Sequence, residues 1–126
     1  MSKLLTNVVE SKNLEIYGDG LQTRDFIHVE DVAKVMEEIT LRDILESTTY
    51  NVGTGIGTRI IGLASLVKEI VKRPVNIIYE TYRAGEIKHS VADVSGLRER
   101  IEFNPIRLKE GIRKLYQTIL ENKFKL

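Results

Sequence analysis

The sequence predicts an α/β fold, because segments of helical and strand periodicity alternate from one end of the chain to the other. Glycine-rich turns separate several of these segments, including Gly18-Asp19-Gly20 and the run from Gly53 to Gly57. The composition is that of a folded domain, with 42% hydrophobic and 29% charged residues in 126. We therefore expect one domain over residues 1–126, large enough to bury a core.

The first half is predicted to contain two helices and three short strands. Apolar residues at helical spacing indicate that the chain opens in a helix: Leu4, Leu5, Val8 and Val9. Strand patterns cover 13–17, 25–29 and 48–52. Asp31 is predicted to cap the second helix, whose apolar stripe is Val32, Val35, Met36 and Ile39.

The second half continues the alternation. An amphipathic helix is predicted from about residue 63 to 71, ending before Pro74. A β-branched strand follows over 75–79, with another strand expected over 86–92 and a short helix from Ser95. Pro105 precedes a last helix with an apolar side, made by Leu108, Ile112, Leu115, Ile119 and Leu120.

Composition excludes several kinds of function. The net charge is +1 and acids are interleaved with bases, so nucleic acid is not an expected partner. Without cysteine there is no disulfide or thiolate metal site, and no apolar run approaches a membrane span. We expect a soluble, cytoplasmic protein. His28 and His89 lack a ligand constellation, and we interpret them as packed or surface residues rather than metal ligands.

The run from Gly53 to Gly57 is one candidate phosphate site. It follows a predicted strand, precedes a helix, and is followed by a second strand with Glu80 beyond it, as in a dinucleotide-binding βαβ unit. The third glycine of that fingerprint is replaced by Thr58, with Gly57 one position early. We favour a turn that needs glycine only for its backbone conformation.

Two arginines form the other candidate. Arg24 follows a glycine turn and Arg83 follows the predicted strand over 75–79. Guanidinium groups suit a diphosphate, since they are always charged and donate paired hydrogen bonds. Spacing alone leaves open whether the two arginines converge or are solvated, salt-bridged side chains.

Four segments in order carry a family resemblance: 16–33 (IYGDGLQTRDFIHVEDVA), 50–55 (YNVGTG), 83–93 (RAGEIKHSVAD) and 103–112 (FNPIRLKEGI). Together they resemble the C-terminal, substrate-binding part of the extended short-chain dehydrogenases that act on nucleotide sugars, such as UDP-glucose 4-epimerase and dTDP-glucose 4,6-dehydratase. Residues 26–52 resemble elements that, in this family, return to the NAD-binding domain and complete its Rossmann sheet.

The resemblance also implies a ligand, a UDP-sugar or UDP. Arg24 and Arg83 match the family's diphosphate-binding arginines, and Glu86 matches the acid that accepts hydrogen bonds from the ribose. Tyr17 falls near the position that borders the uracil. Among relatives, the form of these segments favours a UDP-sugar 4-epimerase over a dehydratase.

Two family motifs are absent from this sequence. Complete family enzymes bind NAD through a G-x-x-G-x-x-G loop and use a Tyr-x-x-x-Lys pair in catalysis, and neither pattern occurs here. We therefore expect no catalytic residue and no cofactor bound by this chain, which would hold the nucleotide sugar for an NAD-dependent reaction. The alternative is a non-enzymatic, stand-alone or relic oligomeric module from a split or truncated gene.

The resemblance further implies uncovered apolar surface on the elements over 26–52, since the NAD-binding half that packs on them in the family is missing. We therefore expect the chain to form a homo-oligomer or to pair with a separate N-terminal NAD-binding half.

Overall fold

Two short sheets flanked by helices make up the structure. The computed structural model describes residues 2–10, 13–42, 48–82 and 84–123. The elements are α1 (Ser2–Val9), β1 (Leu14–Tyr17), β2 (Thr23–Asp25), α2 (Val29–Leu41), β3 (Gly57–Arg59), α3 (Ile60–Val71), β4 (Ile77–Glu80), β5 (His89–Ser90), α4 (Ser95–Arg98) and α5 (Leu108–Lys123). The predicted α/β class is confirmed.

The two sheets differ in size and in role. Strands β1 and β4 pair in parallel, from Leu14 opposite Ile77 to Tyr17 opposite Glu80. The second sheet has the order β3-β2-β5, with β2 antiparallel to β3 and parallel to β5. In the first sheet, β1 places Leu14 and Ile16 in the main core while β4 is largely exposed. The second sheet carries the polar residues discussed below.

The core is divided into two clusters. The larger forms where α1, α3 and α5 pack with β1, and it buries Leu5, Val8, Leu14, Ile16, Leu63, Ala64, Val67, Val71, Val75 and Ile112. The smaller joins α2 to α4 and the residues after it, through Val35, Leu97 and Ile101. The helical stripes of the sequence thus identify the buried faces of α1, α3 and α5.

The second strand and the cap of α2 differ from the prediction. Strand β2 ends at Asp25, residues 26–28 are irregular, and α2 begins at Val29. His28 caps this helix by accepting the Glu30 N–H at 3.3 Å. Asp31 instead lies within the first turn, 1% exposed, and accepts the Ile106 N–H at 2.9 Å. The predicted cap therefore joins α2 to the segment before α5.

The strand predicted over 48–52 is wrong, because these residues are irregular. Tyr50 and Val52 pack against the smaller core cluster, and Asn51 Nδ2 donates to the Asp93 carbonyl oxygen at 3.2 Å. Their alternating pattern therefore reflects packing against helices rather than pairing with another strand.

Strand β3 is not predicted from the sequence, and the remaining elements agree with the predictions in type while some differ in their bounds. β4 begins two residues later than predicted, and β5 is only two residues long. The Gly53–Gly57 turn leads into β3 before the helix, and α3 ends where Lys72 adopts a left-handed conformation with φ 53°. The short helix α4 and the last helix α5 lie where they were expected.

Helix α2 presents large apolar side chains to solvent. Val29, Met36 and Leu41 are 75%, 66% and 75% exposed. Large exposed apolar side chains are the kind of surface that a partner covers. Across the part of the chain that the structure describes, none of the helices has the length and apolar character needed to cross a membrane.

Candidate functional site

Arg24 occupies the centre of the three-stranded sheet. It lies in β2 opposite Thr58 of β3 and Ser90 of β5, so these three residues share one face. Its Nη1 donates to the Thr23 carbonyl oxygen at 2.8 Å, and its Nη2 lies 3.4 Å from Glu86 Oε1. The strand pairing on both sides fixes the backbone from which this guanidinium extends.

Glu86 reaches Arg24 from the loop before β5. Both side chains are about a quarter exposed, at 26% for Glu86 and 28% for Arg24. A long, partly solvated ion pair of this kind contributes only about 0–1 kcal/mol. Glu86 Oε2 is buried and has no hydrogen-bond partner in the described part of the chain. The pair is therefore weak, and the carboxylate keeps capacity to accept further hydrogen bonds.

The other two predicted site residues are placed differently. Tyr17 ends β1, in the separate two-stranded sheet, and its carbonyl oxygen accepts a hydrogen bond from Gln22 Nε2 at 2.8 Å. Arg83 lies outside the described residues. The structure thus brings Arg24 and Glu86 together, while the convergence of the two arginines stays a prediction.

An open polar cleft of about 380 Å³ borders Arg24. Polar side chains from two further segments line it, Asn51 from one and Ser90 and Asp93 from the other. Its size falls within the range of pockets that hold small molecules. A different cleft, of about 260 Å³ and largely apolar, lies between residues 26–29 and α5, away from the Arg24–Glu86 pair.

Asp25 organises the backbone around this site. Its carboxylate accepts the Thr54 N–H at 2.9 Å, the Gly55 N–H at 2.9 Å, the Ala92 N–H at 3.3 Å and the Thr54 hydroxyl. Burial alone would raise the pKa of Asp25, but the hydrogen bonds from Thr54 and from the backbone outweigh it and hold that pKa below its ordinary value. Asp25 thereby connects β2, the glycine turn and the segment after β5.

This arrangement accounts for the Gly53–Gly57 turn. Its Thr54 and Gly55 N–H groups donate to Asp25, and the Ile56 N–H donates to Thr54 Oγ1 at 3.1 Å. A Cβ on Gly53 would lie 2.6 Å from Asp25 Oδ2, and Gly55 has a φ of 73°. These glycines therefore serve internal packing and backbone conformation. The turn does not fit the pyrophosphate of NAD, because the N–H groups that would hold it are already used.

Sequence reasoning missed the role of Asp25. Its hydrogen-bond partners lie 29, 30 and 67 residues away, so no local spacing signals them. The two histidines also have structural contacts: His28 caps α2, and His89 Nδ1 lies 3.0 Å from Thr23 Oγ1. Among the described residues no group of three or more possible metal ligands occurs.

Comparison with known families identifies similar proteins. A family model described as the NAD dependent epimerase/dehydratase family matches residues 1–53. An uncharacterized UDP-glucose epimerase of Bacillus subtilis is 28% identical over 111 residues, which are 87% of this chain and 35% of that protein. A dTDP-4-dehydro-6-deoxy-D-allose reductase of a Streptomyces species is 32% identical over 114 residues, 88% of this chain and 33% of that protein.

A solved structure shows the same fold. The UDP-glucose 4-epimerase of Thermotoga maritima, determined with UDP-glucose, is 25% identical and superimposes with a TM-score of 0.85 over 96% of this chain and 39% of that one. The chain thus spans between a third and two-fifths of the length of these relatives.

The packing around Asp25 predicts that Gly53→Ala is destabilising. The new Cβ would lie 2.6 Å from Asp25 Oδ2 and 2.7 Å from Ala92 Cβ, so the carboxylate and the segment after β5 would have to shift. Overpacking of this kind costs about 1–3 kcal/mol in free energy of unfolding, measurable by urea denaturation.

Gly62→Ala is the matched control, since Gly62 lies in α3 and a Cβ there meets nothing within 4 Å. It should stabilise the protein by about 0.5–1 kcal/mol through helix propensity. Equal effects of the two substitutions would contradict the packing described around Asp25.

Proposed function

This chain belongs to the NAD-dependent epimerase/dehydratase family, and we propose that it binds the nucleoside diphosphate of a nucleotide sugar, with a UDP-sugar or UDP as its ligand. The observation that carries the proposal is the approach of Arg24 Nη2 to Glu86 Oε1 at 3.4 Å, between residues 62 apart in sequence. A guanidinium beside a carboxylate provides the two kinds of group that a nucleoside diphosphate needs, a cation for phosphate and an acceptor for ribose hydroxyls.

Arg24 takes the diphosphate in this proposal. Its ion pair with Glu86 is weak and about a quarter exposed, so a diphosphate with more negative charge and better geometry can replace the carboxylate. Arg83, three positions after the end of β4 in the sequence, is assigned the second guanidinium by the family pattern. The two would clamp the bridging diphosphate from separate segments of the chain.

Glu86 takes the ribose. A carboxylate has acceptor sites for two vicinal hydroxyls, and Glu86 Oε2 is buried without a partner among the described residues. Tyr17, at the end of β1, is assigned to the uracil. The cleft of about 380 Å³ beside Arg24, with Asn51 and Ser90 on its wall, is the place we assign to the sugar.

The chemistry of the sugar is assigned to the complete family enzyme. There NAD supplies oxidation and re-reduction at the sugar C4, whereas this sequence contains neither G-x-x-G-x-x-G nor Tyr-x-x-x-Lys. The residues described here hold and orient the nucleotide. We favour a UDP-sugar 4-epimerase as the reaction to which this binding belongs.

We expect UDP to bind the chain in calorimetric titration and Arg24→Ala to weaken binding about tenfold or more, because a hydrogen bond between charged groups contributes about 1.5–3 kcal/mol. Glu86→Gln should weaken the binding of UDP more than the binding of pyrophosphate, because it removes the charge of the group that accepts from the ribose and pyrophosphate has no ribose. Arg73→Ala removes an exposed arginine after α3 and serves as the matched control.

The titration separates the proposal from its alternative. UDP binding that Arg24→Ala and Glu86→Gln leave unchanged would rule out this site. No UDP binding by the folded wild-type chain would favour the alternative, a non-enzymatic oligomeric module.

Self-association is a second proposal, supported by the apolar surface of α2. Val29, Met36 and Leu41 are at least 66% exposed, and the apolar cleft of about 260 Å³ begins beside Val29. A second copy of the chain, or an NAD-binding half supplied separately, would cover this surface. Either partner would bury the face that α2 leaves in solvent.

Light scattering at micromolar concentration should therefore report a dimer or larger species. Met36→Lys should shift the measured molar mass toward that of the monomer. Glu37→Lys, at a neighbouring exposed position, should change the molar mass less. A wild-type chain that is monomeric throughout would contradict self-association.

A further inference from the structure

The face of the β3-β2-β5 sheet opposite Arg24 carries its own row of polar side chains. Thr23 pairs with Arg59 of β3 on one side and with His89 of β5 on the other. Directly paired residues share a face, and the 3.0 Å contact between Thr23 Oγ1 and His89 Nδ1 agrees with this. Since successive residues of a strand alternate, this row faces away from Arg24.

A cleft of about 360 Å³ lies along the row, and Gln22 and Lys88 also line it. The charged ends of Arg59 and Lys88 form no ion pair within 4 Å with a residue that the structure describes. Asp19 lies at the same cleft, and its pKa is lowered by hydrogen bonds from the Leu21 N–H and the Tyr82 hydroxyl and by the charge of Lys88. Arg59 and Lys88 contribute two positive charges to the cleft and Asp19 contributes one negative charge, so the net charge of the cleft is positive.

Gln22 supplies an observation independent of charge. Its side chain is 8% exposed, and its Nε2 donates to the Tyr17 carbonyl oxygen at 2.8 Å, which fixes the orientation of the amide. Its Oε1 is buried and has no hydrogen-bond partner among the described residues. A buried carbonyl oxygen without a donor is unfavourable, so a ligand with a hydroxyl would be stabilised there.

We propose that this cleft binds a phosphate group that retains a hydroxyl, such as the monoanion of a phosphate monoester. The anionic oxygens suit Arg59 and Lys88. The Thr23 hydroxyl can donate to a third oxygen when His89 carries its proton on Nδ1 and donates to Thr23 Oγ1, and the P–OH can donate to Gln22 Oε1 once a small shift of the surrounding side chains opens that buried oxygen to the cleft. Sulfate has the charge but no hydroxyl. The site is distinct from the nucleotide site proposed above, because it lies on the other face of the same sheet.

The test is a titration with inorganic phosphate at pH 6.5, followed by calorimetry or by amide chemical shifts, on four proteins: wild type, Arg59→Gln, Arg24→Gln and Arg73→Gln. We expect Arg59→Gln to weaken about tenfold the phosphate binding that the amide shifts around Thr23 and His89 report, and Arg73→Gln to leave it within twofold. Arg24→Gln removes a group of the proposed nucleotide site, so it should change only the phosphate response of that other face. Circular dichroism and the melting temperature establish that each variant is folded.

Two results would overturn the proposal. Loss of binding in Arg24→Gln with normal binding in Arg59→Gln would place the phosphate on the nucleotide face. Absence of binding to folded wild-type protein at tens of millimolar phosphate would remove the site altogether. Neither result depends on whether UDP binds, so failure here is distinguishable from failure of the nucleotide proposal.

Sulfate tests the role of Gln22 Oε1. At pH 6.5 sulfate carries two charges and no hydroxyl, whereas inorganic phosphate keeps a P–OH in both its singly and its doubly charged form. A phosphate monoester, with a second pKa of about 6, keeps a P–OH in about a quarter of its molecules at this pH. Tighter binding of phosphate than of sulfate supports the proposed hydroxyl contact. Sulfate binding as tight or tighter would contradict it. Methyl phosphate, run in parallel, distinguishes a site for monoesters from one for the free ion by which of the two binds more tightly.

Discussion

The carboxylate of Asp25 is the interaction on which the rest of the site depends. It accepts hydrogen bonds from Thr54, Gly55 and Ala92 and so holds three separate segments against one another. A partly buried carboxylate needs several donors to remain charged, and backbone N–H groups of a glycine turn provide them at close range. The absence of a side chain at Gly53 follows from the same contact, because a Cβ there would collide with Asp25 Oδ2.

The same short strand presents two different surfaces. β2 has only three residues, yet alternation places Arg24 on one face with Ser90 and Thr23 on the other with His89. Because Asp25 and the two neighbouring strands fix its backbone, both faces are held in position without a large sheet. The weak Arg24–Glu86 pair on one face and the unpaired Gln22 oxygen beside the other are the places where a ligand adds the most contacts.

The sequence predicted the class of fold, most of the elements and the segments that carry the family pattern. Helices such as α3 and α5 were predictable because their apolar stripes match their buried faces. The strand over 48–52 and the cap at Asp31 were wrong, because both patterns serve tertiary contacts, with Tyr50 packing on helices and Asp31 accepting the Ile106 N–H. The local preference of a segment for helix or strand carries no information about partners that are distant in sequence.

The candidate site was likewise only partly predictable from the sequence. Residue type identified Arg24 as a candidate and the family resemblance added Glu86, but their approach across 62 residues is a property of the folded chain. The spacing of the glycines also left open whether the Gly53–Gly57 turn binds a pyrophosphate. Only the fold shows that Asp25 accepts hydrogen bonds from the N–H groups of this turn.

The most direct measurement is a crystal structure of the chain with UDP. It should show the diphosphate at the Arg24 guanidinium, with the Arg24–Glu86 contact opened and Glu86 bonded to the ribose. A nucleotide bound at the Gly53–Gly57 turn or elsewhere, with the Arg24–Glu86 pair intact, would contradict the proposed site.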